Sequence, residues 1–249
     1  MKYWLLTFLC IASTLVFSQQ LELHYDFRHS LDPKHNAKNF PTLYFEYFKS
    51  LDSGNSFIKP GSFLLKIQSD LTGEEKNMSK FYMQISQAFR FWKPKIFIQL
   101  QYSGGLGVTE PKQYSYYITN AFSLGAAYPF QWRNKAFFNA YISYKYGAFK
   151  KPSHDIIFAF YWLRFFSNYK FNFSGNLVSW TDNKNHGDTL TMDLKGKRFS
   201  FLGDPQAWIT LKKGLSVGSK INLYYHVLTP ENIFQAYPTL AVRYKFQSN

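Results

Sequence analysis

The sequence has one cysteine among 249 residues, and it has no long hydrophobic run after residue 18. Cys10 lies in an N-terminal segment that begins with Lys2 and continues through the apolar run Leu5–Phe17 to the small residue Ser18. This arrangement is typical of a secretory signal peptide, so we expect residues 1–18 to be removed. A transmembrane anchor is the alternative, but the apolar run is shorter than the ~20 residues that a spanning helix needs.

The remaining chain, residues 19–249, therefore has no cysteine. This absence excludes disulfides, thiolate metal sites and cysteine nucleophiles together. Acidic residues are also few, since 15 Asp and Glu stand against 29 Lys and Arg for a formal net charge of +14. A basic balance can indicate nucleic-acid binding, but an exported protein rarely meets that partner, and we expect none.

Aromatic residues, by contrast, are abundant. The chain has 27 Phe, 19 Tyr and 6 Trp, which make up 21% of it, yet its mean hydropathy is only -0.29. A barrel that faces lipid outside and water inside explains both the high aromatic content and the low mean hydropathy. Aromatic girdles mark its two membrane interfaces, and its interior is polar.

Apolar and polar residues alternate with a period of two in about twelve segments after residue 20. The first, "LELHYDF", places Leu21, Leu23, Tyr25 and Phe27 on one face and Glu22, His24 and Asp26 on the other. Short turns and long polar stretches separate the segments alternately, as periplasmic turns and extracellular loops do in outer-membrane barrels. The sequence therefore predicts an all-β protein, a transmembrane antiparallel β-barrel of about twelve strands over residues 19–249, in the bacterial outer membrane.

Two stretches resist this interpretation. Residues 154–166, "HDIIFAFYWLRFF", are nearly all apolar, so their faces cannot be assigned. "GDPQAW" places Pro205 inside a strand-like run, although proline cannot donate to a strand ladder. Either a bulge turns Asp204, Gln206 or Trp208 into the lumen, or a strand begins after Pro205.

Residues with inward parity are the candidate solute-binding residues of the lumen. The predicted cations are Lys66, Arg90, Lys145, Arg198, Lys220, Arg243 and Lys245, and the predicted acids are Glu22, Asp26, Glu46 and Asp204. Aromatic platforms of the same parity are Tyr44, Tyr82, Phe97, Tyr141, Trp208 and Tyr224, and His24 completes the set. These rings could stack on a solute, or they could simply fill a narrow barrel.

Glu22, His24 and Asp26 share one strand face, which leaves two interpretations. Acid–histidine–acid spacing could bind a metal or support acid–base chemistry. Alternatively, the three residues form a polar wall that pairs with basic residues opposite. We expect no catalytic residue, metal site or cofactor. Ser153, His154 and Asp155 are consecutive, so strand alternation sends them to different faces, whereas a catalytic triad must converge.

Three parts of the sequence carry a family resemblance: "LELHYDF", "FRFWKPKIFIQLQYSGGLG", and "FLGDPQAWITL" followed by "LSVGSKINLYY". They resemble an uncharacterised family of outer-membrane barrels related to the Tsx-like nucleoside-specific channels. The resemblance implies a monomeric twelve-stranded barrel with a narrow lumen that passes small solutes.

The expected function is passive uptake of small polar solutes through an outer-membrane channel, with nucleosides as one candidate class. The expected partners are the solute, outer-membrane lipid and lipopolysaccharide. A plugged or narrow barrel that acts as a scaffold or receptor is one alternative. A lipolytic outer-membrane enzyme is another, but it needs a histidine–serine pair near the outer rim, and none of the histidines lies in a serine-rich hydrolase-like motif. We therefore do not expect an enzyme.

Overall fold

A computed structural model of the protein describes residues 17–49, 59–73, 77–91, 95–109, 114–133 and 135–246. Most of the predicted signal peptide lies outside these ranges, as do the predicted turn at residues 92–94 and the tail at residues 247–249.

Within the described ranges, no helix has the length and hydrophobicity that a membrane-spanning helix requires.

The described residues form thirteen strands in one antiparallel sheet. The strands are β1 Phe17–Asp26, β2 Phe40–Lys49, β3 Lys59–Asp70, β4 Lys80–Arg90, β5 Phe97–Val108, β6 Ser115–Trp132, β7 Ala136–Gly147, β8 Ser153–Phe166, β9 Phe171–Asn183, β10 Lys197–Gly203, β11 Gln206–Lys212, β12 Leu215–Tyr225 and β13 Phe234–Phe246. A short helix, α1 Arg28–Leu31, follows β1, and a 3-10 turn at Ser167–Tyr169 follows β8.

The sheet closes on itself, because β1 pairs with both β2 and β13. Leu23 lies opposite Leu43 on one side and opposite Val242 on the other. Strands β10 and β11 are two segments of one interrupted strand of the barrel, since both pair with β9 and with β12. The fold is therefore a closed twelve-stranded antiparallel β-barrel, which confirms the fold predicted from the sequence.

The break between β10 and β11 confirms one of the two interpretations of Pro205, because β11 begins directly after it, at Gln206. Gly203 pairs with Leu177 and Gln206 pairs with Ser174, so the same number of residues separates the pairs on each strand. No extra residue is inserted, as a bulge would require, so the bulge interpretation is wrong. The register continues through the break because the Asp204 amide donates to the Asn176 carbonyl and the Pro205 carbonyl accepts from Ile221, each at 3.0 Å.

The outer surface is apolar, as a lipid-facing wall must be. In β13, Leu240 is 64% exposed whereas Arg243 is only 4% exposed, which confirms the alternation predicted for the closing strand. Outward rings form a stacked belt over β6–β9, made of Tyr128, Phe130, Phe138, Phe160, Trp162 and Phe173. This belt is an aromatic girdle near the end of the barrel that carries the short turns.

The two ends of the barrel have connections of different length. The short β6–β7, β8–β9 and β11–β12 connections lie at the end where β1 begins and β13 ends. Long connections at residues 27–39 and 184–196 lie at the opposite end. Outer-membrane barrels place short turns in the periplasm and long loops outside the cell. The end where β1 begins is therefore the periplasmic end, and the opposite end is extracellular. The closed sheet, the apolar outer wall and the unequal connections are those of a bacterial outer-membrane barrel.

Candidate functional site

The inward side chains divide the lumen into two walls of different chemistry. We call the residues contributed by β1–β3, β11–β13 and the break before β11 the charged wall: Glu22, His24, Asp26, Tyr44, Glu46, Lys66, Asp204, Trp208, Lys220 and Arg243. We call the central inward residues of β4–β7 the neutral wall: Tyr82, Gln84, Ser86, Gln99, Gln101, Ser103, Ser123, Tyr141 and Ser143.

Glu22 and His24 are joined at the centre of the charged wall. The Nε2 atom of His24 lies 2.9 Å from the Glu22 carboxylate, and its Nδ1 atom lies 3.0 Å from Thr239 Oγ1. Arg243, on the strand that closes the barrel, approaches the same carboxylate at 3.9 Å. His24 is 0% exposed, so these contacts hold it away from water. Glu22 thus pairs with a basic residue opposite, as one interpretation of the sequence predicted.

Trp208 lies flat against the wall beside this cluster. Its ring rests on Gly218, where a Cβ atom would come within 2.5 Å of the indole. The Arg243 guanidinium lies 4.1 Å from the ring centre, a cation–π distance, and His24 meets the ring edge-on. Trp208 is 0% exposed, so a solute could stack on it only after Arg243 moved.

Tyr44 and Lys220 form a second contact of the charged wall. The Lys220 ammonium lies 3.7 Å from the Tyr44 ring centre and donates to the Tyr44 hydroxyl. One strand further along, Lys66 lies 3.5 Å from Glu46. The side chains of Lys66 and Glu46 remain 27% and 29% exposed although both face the barrel interior. This part of the lumen therefore has open space beside the two side chains.

Asp26 anchors the extracellular end of the charged wall. It is 1% exposed and accepts hydrogen bonds from the Arg28 guanidinium at 2.7 Å and from Asn222 at 3.1 Å. The Arg28 guanidinium lies among three rings, those of Phe40, Tyr224 and Tyr237. Glu22 and His24 therefore contact each other, whereas Asp26 has partners of its own. The described residues contain no group of three His, Cys, Asp or Glu side chains that could hold a metal.

Asp204 lies at the break between β10 and β11 and accepts a hydrogen bond from the Asn176 backbone amide at 2.8 Å. It is half-buried within the lumen, where its parity had placed it. No lysine or arginine of the described residues forms an ion pair with it.

Two acids at the extracellular third were missed in the sequence. Asp182 accepts from Lys145 at 3.1 Å, and it has the same parity as the inward asparagines of β9, so its position was predictable. Asp155 accepts from Lys197 at 2.6 Å and from Thr181 at 2.8 Å, and it lies in the stretch whose faces could not be assigned. Arg198 lies opposite Asp182 in the β9–β10 register.

Ser153, His154 and Asp155 do not converge. Ser153 is 0% exposed and donates to Asp155 inside the barrel, whereas His154 points outward and contacts the Tyr144 hydroxyl. This arrangement confirms the prediction made from strand alternation.

The neutral wall is a chain of amides and hydroxyls. Gln84 donates to Gln101 at 3.1 Å, Gln101 donates to Ser103 at 3.2 Å, and the Tyr82 hydroxyl lies 3.3 Å from Gln84. Tyr141 is 1% exposed and packs in an apolar cluster with Ala88, Phe97, Ala127, Ile157 and Ala159. Two predicted platforms, Tyr141 and Phe97, are thus packed inside the wall.

Two predicted lumen cations lie at the periplasmic mouth. Arg90 places its guanidinium 5.4 Å from the centre of the Phe97 ring, and Lys245 lies opposite Gln20 in the β1–β13 register. Among the described residues, neither makes an ion pair.

The extracellular loops carry carboxylates of their own. A hydrogen bond from the Tyr237 hydroxyl, with a second from His35, lowers the pKa of Asp32 below its usual value of 3.8. Hydrogen bonds from Thr191 lower the pKa of Asp188 in the same direction. Both acids are therefore ionised at neutral pH.

A family model described as "Domain of unknown function (DUF5020)" matches residues 18–246. The chain belongs to this family. No curated protein matches the chain by sequence.

Two of the solved structures of similar shape are porins. A NanC porin has a TM-score of 0.53 at 5% identity, with 92% of this chain and 100% of that chain covered. A KdgM porin has a TM-score of 0.47 at 5% identity, with 92% and 99% covered. At this identity the NanC likeness concerns the fold alone. Neither the family description nor these two structures names a nucleoside channel.

Proposed function

We propose that the barrel is a narrow passive channel for small polar solutes across the outer membrane. The observation that carries the proposal is the exposure of Glu46 and Lys66 inside the lumen. A charged side chain that stays more than a quarter accessible while it points into a closed barrel lies next to water-filled space. Hydrated space lined by pairs of charges and by amides suits small polar molecules.

The solute would contact the neutral wall and the accessible rings beside it. Tyr44, Tyr82 and Tyr161 are half-buried inward rings, and Gln84 and Gln101 supply donors and acceptors near them. Rings with adjacent amides could hold a base and a sugar at once, so nucleosides form one class of solute to be compared with sugars and organic anions.

A non-conducting barrel that acts as a scaffold or receptor is the second candidate. The observation that favours it is the complete burial of His24 and Trp208 in the charged wall. We propose no enzymatic step, because His24 and its neighbour Thr239 are 0% and 3% exposed. A substrate could not reach them without rearrangement of the wall.

Single-channel conductance of the refolded protein in a planar bilayer tests the proposal. We expect small, stable openings that nucleosides, sugars or organic anions block in a concentration-dependent manner. Replacing Tyr82 with Ala should widen the lumen and raise the conductance. The matched variant Tyr25→Ala removes an outward ring that is 45% exposed, and it should leave the conductance unchanged. Absence of any opening in both the wild type and Tyr82→Ala would favour the scaffold.

A further inference from the structure

Two hollows lie near each other, one on the outside of the barrel over β4–β7 and one at the extracellular rim, between the end of β6 and the β7–β8 and β9–β10 connections. The lower is an apolar hollow of about 470 Å³ on the lipid-facing wall. The part of its lining used here consists of Ile85, Leu100, Phe122, Leu124 and Tyr144. Leu100 and Leu124 face each other in the β5–β6 register and are 48% and 52% exposed. A hydrocarbon chain is the natural occupant of such a surface within a membrane.

The upper hollow is a cleft of about 420 Å³ at the extracellular rim, which we call the rim cleft. It is lined by Tyr117, Asn120, Phe149, Lys150, His186 and Asp188. His186 stacks on Phe149 with ring centres 4.3 Å apart and planes 3° apart. Among the described residues, the buried Nε2 atom of His186 has no hydrogen-bond partner. The cleft therefore presents a polar atom that remains to be satisfied by something else.

A single hydrogen bond joins the two hollows. Tyr102 lines the apolar hollow, and its hydroxyl donates to Asn120 of the rim cleft at 3.4 Å. The Tyr102 ring can take this position because Gly104 has no side chain, and a Cβ atom there would come within 2.6 Å of the hydroxyl. An apolar hollow that continues into a polar cleft matches the outline of an amphiphile.

The charge of the cleft favours an anionic head group. Lys150 and Lys151 are exposed, and among the described residues neither forms an ion pair. Asp188 offsets only one of these two charges, and its carboxylate also accepts from the Leu190 and Thr191 amides and from the Thr191 hydroxyl.

The loop that contributes His186 also carries exposed apolar side chains. Leu190, Met192 and Leu194 are 91%, 58% and 47% exposed. Apolar side chains in an otherwise polar extracellular loop indicate contact with a membrane or a partner. The rim cleft lies at the end of the barrel with long loops, so the adjacent membrane layer is the outer leaflet.

We propose that this face binds one molecule of lipopolysaccharide, with an acyl chain in the apolar hollow and the phosphorylated sugar head in the rim cleft. The site is on the outer wall and is independent of the proposed channel.

Native mass spectrometry of the delipidated, detergent-solubilised protein tests the proposal with two added lipids, purified lipopolysaccharide and phosphatidylglycerol. Replacing Leu124 with Trp fills the hollow, and replacing Lys150 and Lys151 with Glu reverses the charge of the cleft. The lysine variant should bind lipopolysaccharide at least tenfold more weakly, about the loss expected when two lysine contacts to an anionic lipid disappear. Leu124→Trp should also weaken binding, because the indole occupies the space of the acyl chain.

Two matched variants serve as controls. Leu240→Trp enlarges a lipid-facing residue on the far side of the barrel, and Lys212→Glu with Lys213→Glu reverses two charges at the periplasmic turn. Both should bind lipopolysaccharide like the wild type. Equal losses in the control and test variants, or equal affinity of the wild type for phosphatidylglycerol, would overturn the proposal. The lysine variant alters only a loop, so it decides the matter even if Leu124→Trp fails to fold, as heat-modifiable gel migration would reveal.

Discussion

The charged wall and the neutral wall of the lumen arise from the same strand alternation, but they satisfy their buried polar groups in different ways. On the charged wall, Glu22 approaches Arg243 across the sheet, and Asp26 pairs with Arg28 two residues further along the chain. On the neutral wall, Gln84 and Gln101 exchange hydrogen bonds with each other and with hydroxyls. An ion pair has one good partner, whereas an amide both donates and accepts and can change partners.

This difference in hydrogen bonding suggests that the two walls of the lumen have different roles. A buried charge that loses its partner is strongly destabilising, so the charged wall should fix the shape of the pore. Amides and hydroxyls can trade a hydrogen bond with each other for one with a solute at little net cost, so the neutral wall should make the transient contacts of passage. Each prediction below tests one side of this division.

The largest expected effect is on stability. Replacing Asp26 with Ala leaves the buried Arg28 guanidinium without its carboxylate, and breaking a buried pair in this way costs about 3–5 kcal/mol. Replacing Gln84 with Ala removes a neutral hydrogen bond and should cost about 1 kcal/mol. Urea unfolding of the refolded barrels in lipid vesicles measures both changes. Similar costs at the two positions would mean that the charged wall is no more rigid than the neutral wall.

The next prediction places a lysine on either face of one neutral-wall strand. Leu100→Lys puts the charge on the lipid face and should cost ~2–4 kcal/mol near the middle of the membrane. Gln101→Lys puts the same charge into the lumen, where water and amides can solvate it, and should cost less. The single variants Ile98→Lys and Gln99→Lys repeat the comparison nearer the periplasmic end of β5. There the difference in unfolding free energy between the lipid-facing and the lumen-facing lysine should be smaller. A larger cost at Gln101 than at Leu100 would reverse the assigned faces.

These faces were predictable wherever one face is apolar and the other polar. The pattern of residues 21–27 predicted Leu21 and Leu23 outside and Glu22 and His24 inside, as found. Strand β8 failed this test because it is apolar on both faces. Its outward Ile156 and Phe158 meet lipid, while its inward Ile157 and Ala159 pack in the apolar cluster of the lumen.

Pairing between strands could not be obtained from the sequence. The contact between Glu22 and Arg243 depends on the register of the closing pair, which joins the two ends of the chain. The hollows on the outer wall depend on how rings lean over small residues, as Tyr102 does over Gly104. Alternation fixes the face of a residue but not its neighbours, so the lumen could be predicted as a set of residues and not as two walls.

A smaller effect concerns ion selectivity. Arg90 and Lys245 at the periplasmic mouth have no ion pair among the described residues, so we expect mild preference for anions, stronger at low salt. Lys245→Gln should reduce this preference without disturbing an ion pair. Gln101→Lys adds a cation to the neutral wall and should increase it.

Reversal potentials in a salt gradient measure both shifts. Arg243→Gln is a poorer test, because it also frees Glu22 and uncovers Trp208. A cation-selective wild type, or shifts of the same sign in Lys245→Gln and Gln101→Lys, would contradict the assignment of mouth and wall.

The smallest expected effect lies where the charged wall continues into the first extracellular loop, residues 27–39. Tyr237 of β13 donates to Asp32 at 2.7 Å, and Asn36 donates to the same hydroxyl at 3.1 Å. The hydrogen bond from Tyr237 lowers the pKa of Asp32 below 3.8 in the folded protein. A group with a depressed folded pKa stabilises the fold above its unfolded pKa, and the contribution is lost as the pH falls through the folded value. The loop should therefore stay docked at neutral pH and loosen only in acid.

Hydrogen exchange of the loop amides, corrected for the intrinsic dependence on pH, measures this loosening. Asp32→Asn should give the loop at pH 7 the faster exchange that the wild type reaches only below pH 3.8, and it should remove most of the pH dependence. Asp188→Asn is the matched control, since it removes a carboxylate of depressed pKa from a different loop and should leave residues 27–39 unchanged. Equal exchange in Asp32→Asn and the wild type at neutral pH would mean that other contacts, such as those of Arg28 with its three rings, hold the loop, and that the charged wall ends at the rim of the barrel.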